Sequence, residues 1–177
     1  MATRIVLLRG INLGPSRRVR MEALRQLLGS AGYGNIRTHV QSGNVVLETA
    51  LGPARLERAL EQQLAGALGF DVDVFVRTPR QLEAVLAHDP LGSEAVDRSR
   101  YLVTFLREHL PPERAARLAA EDFSPERLAV NGRELYSWHP GGVGRSELAK
   151  RLSERSLGVT ATARNWNTLQ KLLALAG

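Results

Sequence analysis

Residues 5–14 read Ile-Val-Leu-Leu-Arg-Gly-Ile-Asn-Leu-Gly, an apolar run that ends in an arginine, two glycines and an asparagine. Four consecutive aliphatic residues followed by turn residues predict a buried strand that exits into a surface loop. Backbone N–H groups at a glycine-containing turn between a strand and a helix point outward and favour negative charge. The stretch therefore predicts an anion site with Arg9, Gly10 and Asn12 as candidate residues, and it indicates no reaction.

The residues that follow predict one β-α-β-β-α-β unit. Apolar residues over 24–31 recur with helical spacing, and two β-rich runs, 36–41 and 44–49, flank a tight turn at Ser42-Gly43. A second helix begins at Gly52-Pro53, and residues 71–76 alternate polar and apolar as a half-buried strand does. This order is typical of a ferredoxin-like plait, an antiparallel sheet with both helices on one face.

The same order recurs in the second half of the chain. Residues 78–81, Thr-Pro-Arg-Gln, form a capping box that predicts a connecting helix to about Ala87, followed by a loop. The second half predicts a type I′ hairpin turn at Asn131-Gly132, one helix over 145–155 and a last helix over 166–176. The predicted fold is therefore α+β, with two ferredoxin-like subdomains joined by a connecting helix, and a C-terminal helix. The predicted segments are 1–78, 79–99 and 100–177.

Composition excludes several classes of site. The chain has no cysteine, which removes disulfides and thiolate zinc sites and favours a reducing, cytoplasmic location. No apolar run is long enough for a signal peptide or a membrane span, so no membrane partner is expected. The net charge of +6 suits nucleic acid or phosphate, but only two of the 24 basic residues are lysines. The arginine excess is therefore better explained by composition than by a dedicated polyanion surface.

The glycine-rich loop 141–146 resembles a phosphate-binding loop. A P-loop needs glycine at position 139 and lysine at 145, where this chain has His139 and Arg145. Two interpretations stay open: a flexible loop before a helix, or a generic anion site that includes Arg145.

Residues 162–168 place an arginine, two asparagines and a tryptophan at the start of the last helix. Asn165 and Trp166 suit a helix cap and a core position, whereas Arg164 and Asn167 suit ligand contact. Both interpretations stand, because capping and binding are not exclusive.

Other chemistry finds no support in the sequence. The four histidines lack metal-ligand spacing, so neither a metal nor a cofactor is predicted. Ser42 lacks the G-x-S-x-G context of a serine nucleophile. Aliphatic residues 45–47 replace the stacking aromatic residues that an RNA-recognition module would display.

Three separated motifs, RGINLG over 9–14, QSGNVVLE over 41–48 and RNWNTLQKL over 164–172, resemble the bacterial family called domain of unknown function 1697. The resemblance spans nearly the whole chain. It implies an α+β protein of ferredoxin-like subdomains and no established activity. The chain departs from the family pattern at Pro15, where another glycine is expected.

The leading hypothesis is a cytoplasmic binding module for a small phosphorylated or otherwise anionic ligand. Polar residues at the ends of regular elements can be presented by a rigid scaffold. The candidate ligand-binding residues are Arg9, Gly10, Asn12, Gln41, Asn44, Arg145, Arg164 and Asn167.

Two alternatives stay open. The sequence does not distinguish an enzyme from a binding protein, and it indicates no oligomeric state. One is hydrolysis of acyl phosphates by analogy with acylphosphatases, with Arg9 binding phosphate and Asn12 or Asn44 orienting water. The other is non-specific nucleic-acid binding through the basic segment 17–25. We further expect residues 9–14, 41–44 and 164–167 to lie close together.

Overall fold

A computed structural model describes residues 1–177. The chain folds into two four-stranded antiparallel sheets with helices, which confirms the predicted α+β class. It divides into two compact units: unit 1 comprises residues 1–84 and 170–177, and unit 2 comprises residues 85–169.

Unit 1 contains the first sheet and its two helices. Its strands are β1 (Ala2–Arg9), β2 (Gly34–His39), β3 (Asn44–Thr49) and β4 (Asp73–Arg77), and its helices are α1 (Met21–Ser30) and α2 (Pro53–Leu68). The strand order is β2-β3-β1-β4, so β1 is flanked on both edges. This central position explains why residues 5–8 are all at most 3% exposed. Such burial on both faces of the strand is possible because every side chain of the run is aliphatic.

Both helices pack on the same face of this sheet. Val6 and Leu8 share one hydrophobic cluster with the buried leucines of α1 and α2. These leucines are Leu24 and Leu28 of α1 and Leu56, Leu60 and Leu64 of α2. The helical spacing seen in the sequence therefore identifies the packed faces correctly.

Unit 2 repeats this arrangement. Its strands are β5 (Tyr101–Leu106), β6 (Arg127–Asn131), β7 (Glu134–Trp138) and β8 (Ala161–Asn165). Its short helices are α4 (Pro112–Ala120), α5 (Glu147–Arg151) and α6 (Glu154–Leu157). The sheet order β6-β7-β5-β8 has the same connectivity as the first sheet, so the predicted duplication of element order is confirmed.

The boundaries between the two units fall within two helices, α3 (Pro79–His88) and α7 (Trp166–Ala176). The predicted capping box at the start of α3 is confirmed. The Thr78 backbone N donates to Gln81 Oε1 at 2.8 Å, and the Gln81 N donates to Thr78 Oγ1 at 3.1 Å. These reciprocal bonds use backbone donors that a helix start leaves free.

The predicted single helix over 145–155 is wrong. A 3₁₀ turn covers Val143–Arg145, and α5 and α6 are separate helices. Ser146 caps α5 by accepting from Ala149 N, and Ser153 caps α6 by accepting from Ser156 N. A serine that satisfies the free N–H groups of a new helix start competes with continuing the previous helix.

The predicted type I′ turn at Asn131-Gly132 is also wrong. Asn131 pairs with Glu134 as the last ladder residue, which leaves Gly132 and Arg133 as the central residues. Only Gly132 has a positive φ, 61°. A positive φ at the first central position alone is the pattern of a type II′ turn.

None of the helices combines the length and the apolar character that crossing a membrane requires.

Candidate functional site

The loop after β1 in unit 1 is held closed by Asn12. Its Oδ1 accepts from Val19 N at 2.8 Å, and its Nδ2 donates to the Val19 carbonyl at 3.1 Å and to the Gln41 carbonyl at 2.5 Å. Asn12 adopts a left-handed φ of 54°, which asparagine tolerates better than most residues. The amide group of Asn12 is thus used in joining the loop to the hairpin turn between β2 and β3.

Gly43 makes the second connection between these two segments. The Leu8 backbone N donates to the Gly43 carbonyl at 2.8 Å. A Cβ added at Gly43 would lie 2.7 Å from Leu8 Cβ, and the residue has a φ of +80°. Only glycine satisfies both the backbone conformation and the close approach. Residues 9–14 and 41–44 therefore lie together, as expected.

Other candidate residues of unit 1 also form ion pairs or hydrogen bonds with neighbouring residues of the protein. Arg9 Nη1 pairs with Asp73 Oδ2 at 2.7 Å, and the Gly10 carbonyl accepts from Arg17 Nη1 at 3.3 Å. Asn44 is fully buried, and its Nδ2 donates to the His39 carbonyl at 3.1 Å and to Ser42 Oγ at 2.8 Å. The Gln41 residue is exposed.

These contacts bear on the hydrolase alternative. Orienting a water molecule would require the Asn12 or Asn44 amide to leave partners inside the protein. For Asn44 this would break hydrogen bonds at a position with no exposed surface, which is costly. No observation in the structure favours that alternative.

Unit 2 contains a pocket of about 560 Å³ that Arg145 helps to line. The pocket is lined by two stretches of the chain, 121–126 and 140–147, together with Arg151. The Arg145 side chain is exposed, and its guanidinium has no hydrogen-bond or ion-pair partner in the protein. The sequence identified Arg145 as a candidate, whereas the pocket arises only from the tertiary fold.

Each carboxylate that lines this pocket has a partner of its own. Glu121 Oε2 pairs with Arg151 Nη2 at 2.8 Å, and Glu147 Oε1 pairs with Lys150 Nζ at 2.5 Å. Asp122 Oδ1 accepts from the backbone N of Ser124 at 2.9 Å and from its Oγ at 2.7 Å. Hydrogen bonds from Ser124 lower the pKa of Asp122, and the bond from Arg151 lowers the pKa of Glu121.

The fourth carboxylate, Glu126, belongs to a buried polar network around His139. His139 is 1% exposed, and its Nδ1 lies 2.8 Å from Glu126 Oε1 and 2.9 Å from Ser146 Oγ. Its Nε2 lies 2.8 Å from Ser137 Oγ. Glu126 Oε2 accepts from the backbone N of Leu148 at 3.1 Å. The network links the loop before β6, strand β7 and the start of α5.

The hydrogen bonds of this network decide the charge state of Glu126. Burial acts to raise the pKa of Glu126, but bonds from Ser146, His139 and the Leu148 backbone outweigh it and lower the pKa. Glu126 is therefore ionised at neutral pH. Sequence reasoning missed this network because the partners of His139 have no motif spacing. No group of three or more histidine or acidic side chains is placed to hold a metal ion.

The start of α7 combines a helix cap with a core position. Asn165 Oδ1 accepts from Thr168 N at 2.9 Å, which confirms the cap. Trp166 is 4% exposed and stacks on Tyr101 with the ring centroids 4.6 Å apart. Arg164 Nη1 donates to Thr162 Oγ1 and to the Ala163 carbonyl, both at 2.8 Å. Burial lowers the pKa of Arg164, although the group keeps its charge at neutral pH.

Asn167 is exposed, and residues 164–167 lie in unit 2. Their grouping with residues 9–14 and 41–44 stays a prediction.

Comparison with known proteins agrees with the fold. The conserved bacterial protein SP0830 from Streptococcus pneumoniae is similar in structure, with a TM-score of 0.74 and 24% sequence identity. The similarity covers 99% of this chain and 98% of that chain, and at this identity it shows the fold alone. The comparison with curated proteins found no match. Residues 1–136 match the family described as protein of unknown function (DUF1697), so the chain belongs to that family.

Proposed function

We propose that this protein is a cytoplasmic binding module for a small anionic ligand, and that the ligand binds in the unit 2 pocket against Arg145. One observation carries the proposal: Arg145 is the charged side chain of the pocket that has no partner within the protein. A guanidinium presents paired donors that match the two oxygens of a carboxylate or phosphate group.

The dimensions and the lining of the pocket support a small ligand. A volume of about 560 Å³ lies in the range of small-molecule sites, which is ~300–1,000 Å³. Gly141 and Gly142 line the same pocket and allow a ligand to approach the backbone closely. Phe123, Pro125 and Pro140 add apolar surface that can cover the uncharged part of a ligand.

The charges of the pocket restrict the ligand class. Four carboxylates and two guanidinium groups line it, and Arg151 is already paired with Glu121. A ligand with several negative charges would be repelled by the surrounding carboxylates. The pocket therefore suits a ligand with one anionic group, such as a carboxylate or a phosphodiester, better than a polyphosphate.

A thermal-shift screen tests the proposal with monocarboxylates, phosphodiesters, sugar phosphates, nucleotides and inorganic phosphate as probes. A ligand at 100 times its dissociation constant adds about 2.7 kcal/mol of stability, which for a chain of this size is roughly 5–10 °C in Tm. We expect the largest shift from a monoanion and its loss in Arg145→Gln.

Arg155→Gln is the matched control, because Arg155 is an exposed arginine of unit 2 that lies outside the pocket lining. It should retain the full shift. The absence of a shift with every anion, or a shift that Arg145→Gln leaves intact, would contradict the proposal.

A further inference from the structure

One end of unit 1 exposes two apolar side chains beside a group of arginines. Leu13 is 73% exposed in the loop after β1, and Val40 is 54% exposed in the turn after β2. The bond from Asn12 Nδ2 to the Gln41 carbonyl joins the residues next to them. We define the tip surface as Leu13, Val40, Arg17, Arg18 and Arg20.

Both exposed apolar side chains belong to segments with unusual backbone conformations. Val40 adopts a φ of 50°, which is rare for a β-branched residue. Leu13 lies between Asn12 at 54° and Gly14 at 106°, within the loop that Asn12 holds closed. The left-handed conformation of Val40 is unfavourable and persists only where surrounding contacts impose it, as contacts often do at functional sites.

The segment that contains the tip surface is strongly basic. Residues 10–44 contain five arginines and one acidic residue, Glu22. Arg17 is held by the Gly10 carbonyl and lies over the Phe70 ring, 5.2 Å from its centroid. Arg18 and Arg20 are exposed and have no ion-pair or side-chain hydrogen-bond partner in the protein. Two guanidinium groups are therefore available to an anionic surface.

We propose that the tip surface binds an anionic membrane surface. Leu13 and Val40 would enter the boundary between headgroups and acyl chains, while Arg18 and Arg20 would bind lipid phosphates. Exposed aliphatic residues flanked by basic residues are the combination by which proteins bind the surface of anionic bilayers. The sequence predicted no membrane partner, because neither residue belongs to a long apolar run.

Nucleic acid is the competing anionic partner, and the tip surface suits it less. Proteins that bind single strands or RNA loops stack bases on aromatic side chains. The one aromatic residue in 10–44 other than histidine is Tyr33, which is 8% exposed. Aliphatic side chains in the solvent add nothing to phosphate binding, whereas they contribute directly to membrane binding.

Co-sedimentation of the full chain with vesicles tests the proposal. One set of vesicles contains phosphatidylglycerol mixed with phosphatidylcholine, and the other contains phosphatidylcholine alone. We expect binding to the anionic set only, and a weakening of that binding as salt rises. Leu13→Ser should reduce the partition coefficient roughly tenfold, since it removes most of the apolar area of the larger inserted side chain.

Val96→Ser is the matched control for Leu13→Ser, because Val96 is 83% exposed and lies in unit 2. Joint replacement of Arg18 and Arg20 by glutamine should also weaken binding, with Arg155→Gln as its control. No binding to anionic vesicles at low salt would overturn the proposal, as would equal binding by Leu13→Ser and Val96→Ser. Tighter binding of a single-stranded oligonucleotide that Leu13→Ser leaves unchanged would assign the surface to nucleic acid instead. The tip surface shares no residue with the Arg145 pocket, so the two proposals fail independently.

Discussion

Replacement of Gly43 by alanine tests how closely the hairpin turn approaches β1. The new Cβ would lie 2.7 Å from Leu8 Cβ and 2.9 Å from Ile11 Cδ1, and both neighbours are buried. Overpacking of this kind costs about 1–3 kcal/mol, and a left-handed alanine costs about 1–2 kcal/mol more than glycine. We therefore expect Gly43→Ala to lower the free energy of unfolding by roughly 2–5 kcal/mol.

Gly69→Ala separates the two contributions. Gly69 has a φ of +77°, close to the +80° of Gly43, and a Cβ there would meet nothing within 4 Å. It should therefore show the backbone cost alone, about 1–2 kcal/mol. The difference between the two variants measures the steric contact with Leu8 and Ile11.

The measurement must report on unit 1. Both tryptophans, Trp138 and Trp166, belong to unit 2, so tryptophan fluorescence is the wrong probe. Urea unfolding followed by circular dichroism, combined with hydrogen exchange of the β1 amides, observes the affected region. A Gly43→Ala variant no less stable than Gly69→Ala would refute the argument that the turn needs glycine for close approach.

Three further predictions concern hydrogen bonds and titration. Asn12→Ala removes the hydrogen bonds to Val19 and Gln41. It should lower the free energy of unfolding by about 2–4 kcal/mol and speed hydrogen exchange over residues 12–19. Unchanged exchange there would contradict the role of Asn12 in closing the loop. Because the folded pKa of Glu126 lies below its ordinary 4.5, its ionised form stabilises the fold above that pH, and this stabilisation is lost as pH falls through the folded pKa. Glu126→Gln should therefore flatten the acid side of a plot of stability against pH, and an unchanged slope would count against the network. Burial raises the pKa of Tyr136 to about 12, so the folded protein should show no tyrosinate absorbance from this residue at pH 10, and stability should decline as pH rises above the ordinary value of 10.

The proposed site depends on contacts between distant segments that local sequence patterns do not indicate. The glycine-rich loop makes Arg145 a candidate, but nothing in that loop indicates the wall formed by residues 121–126. His139 lacks metal-ligand spacing in the sequence, yet it is the centre of a network with Glu126 and Ser146. The sequence predicts Asn12 and Asn44 as ligand-binding residues, whereas their amides form hydrogen bonds within the protein. A polar residue at the end of an element satisfies the same sequence pattern whether it binds a ligand or its own backbone.

The sequence by itself determined most of the element order, the apolar character of β1, the faces of α1 and α2 that are buried and the capping box of α3. Each of these follows from interactions between residues a few positions apart, namely helical or strand periodicity and capping. The tertiary structure alone decided the pairing of Arg9 with Asp73, 64 residues away, the close approach of Gly43 to Leu8, and the exposure of Leu13 and Val40. These depend on which distant segments the two sheets bring together, and no local periodicity encodes that distance.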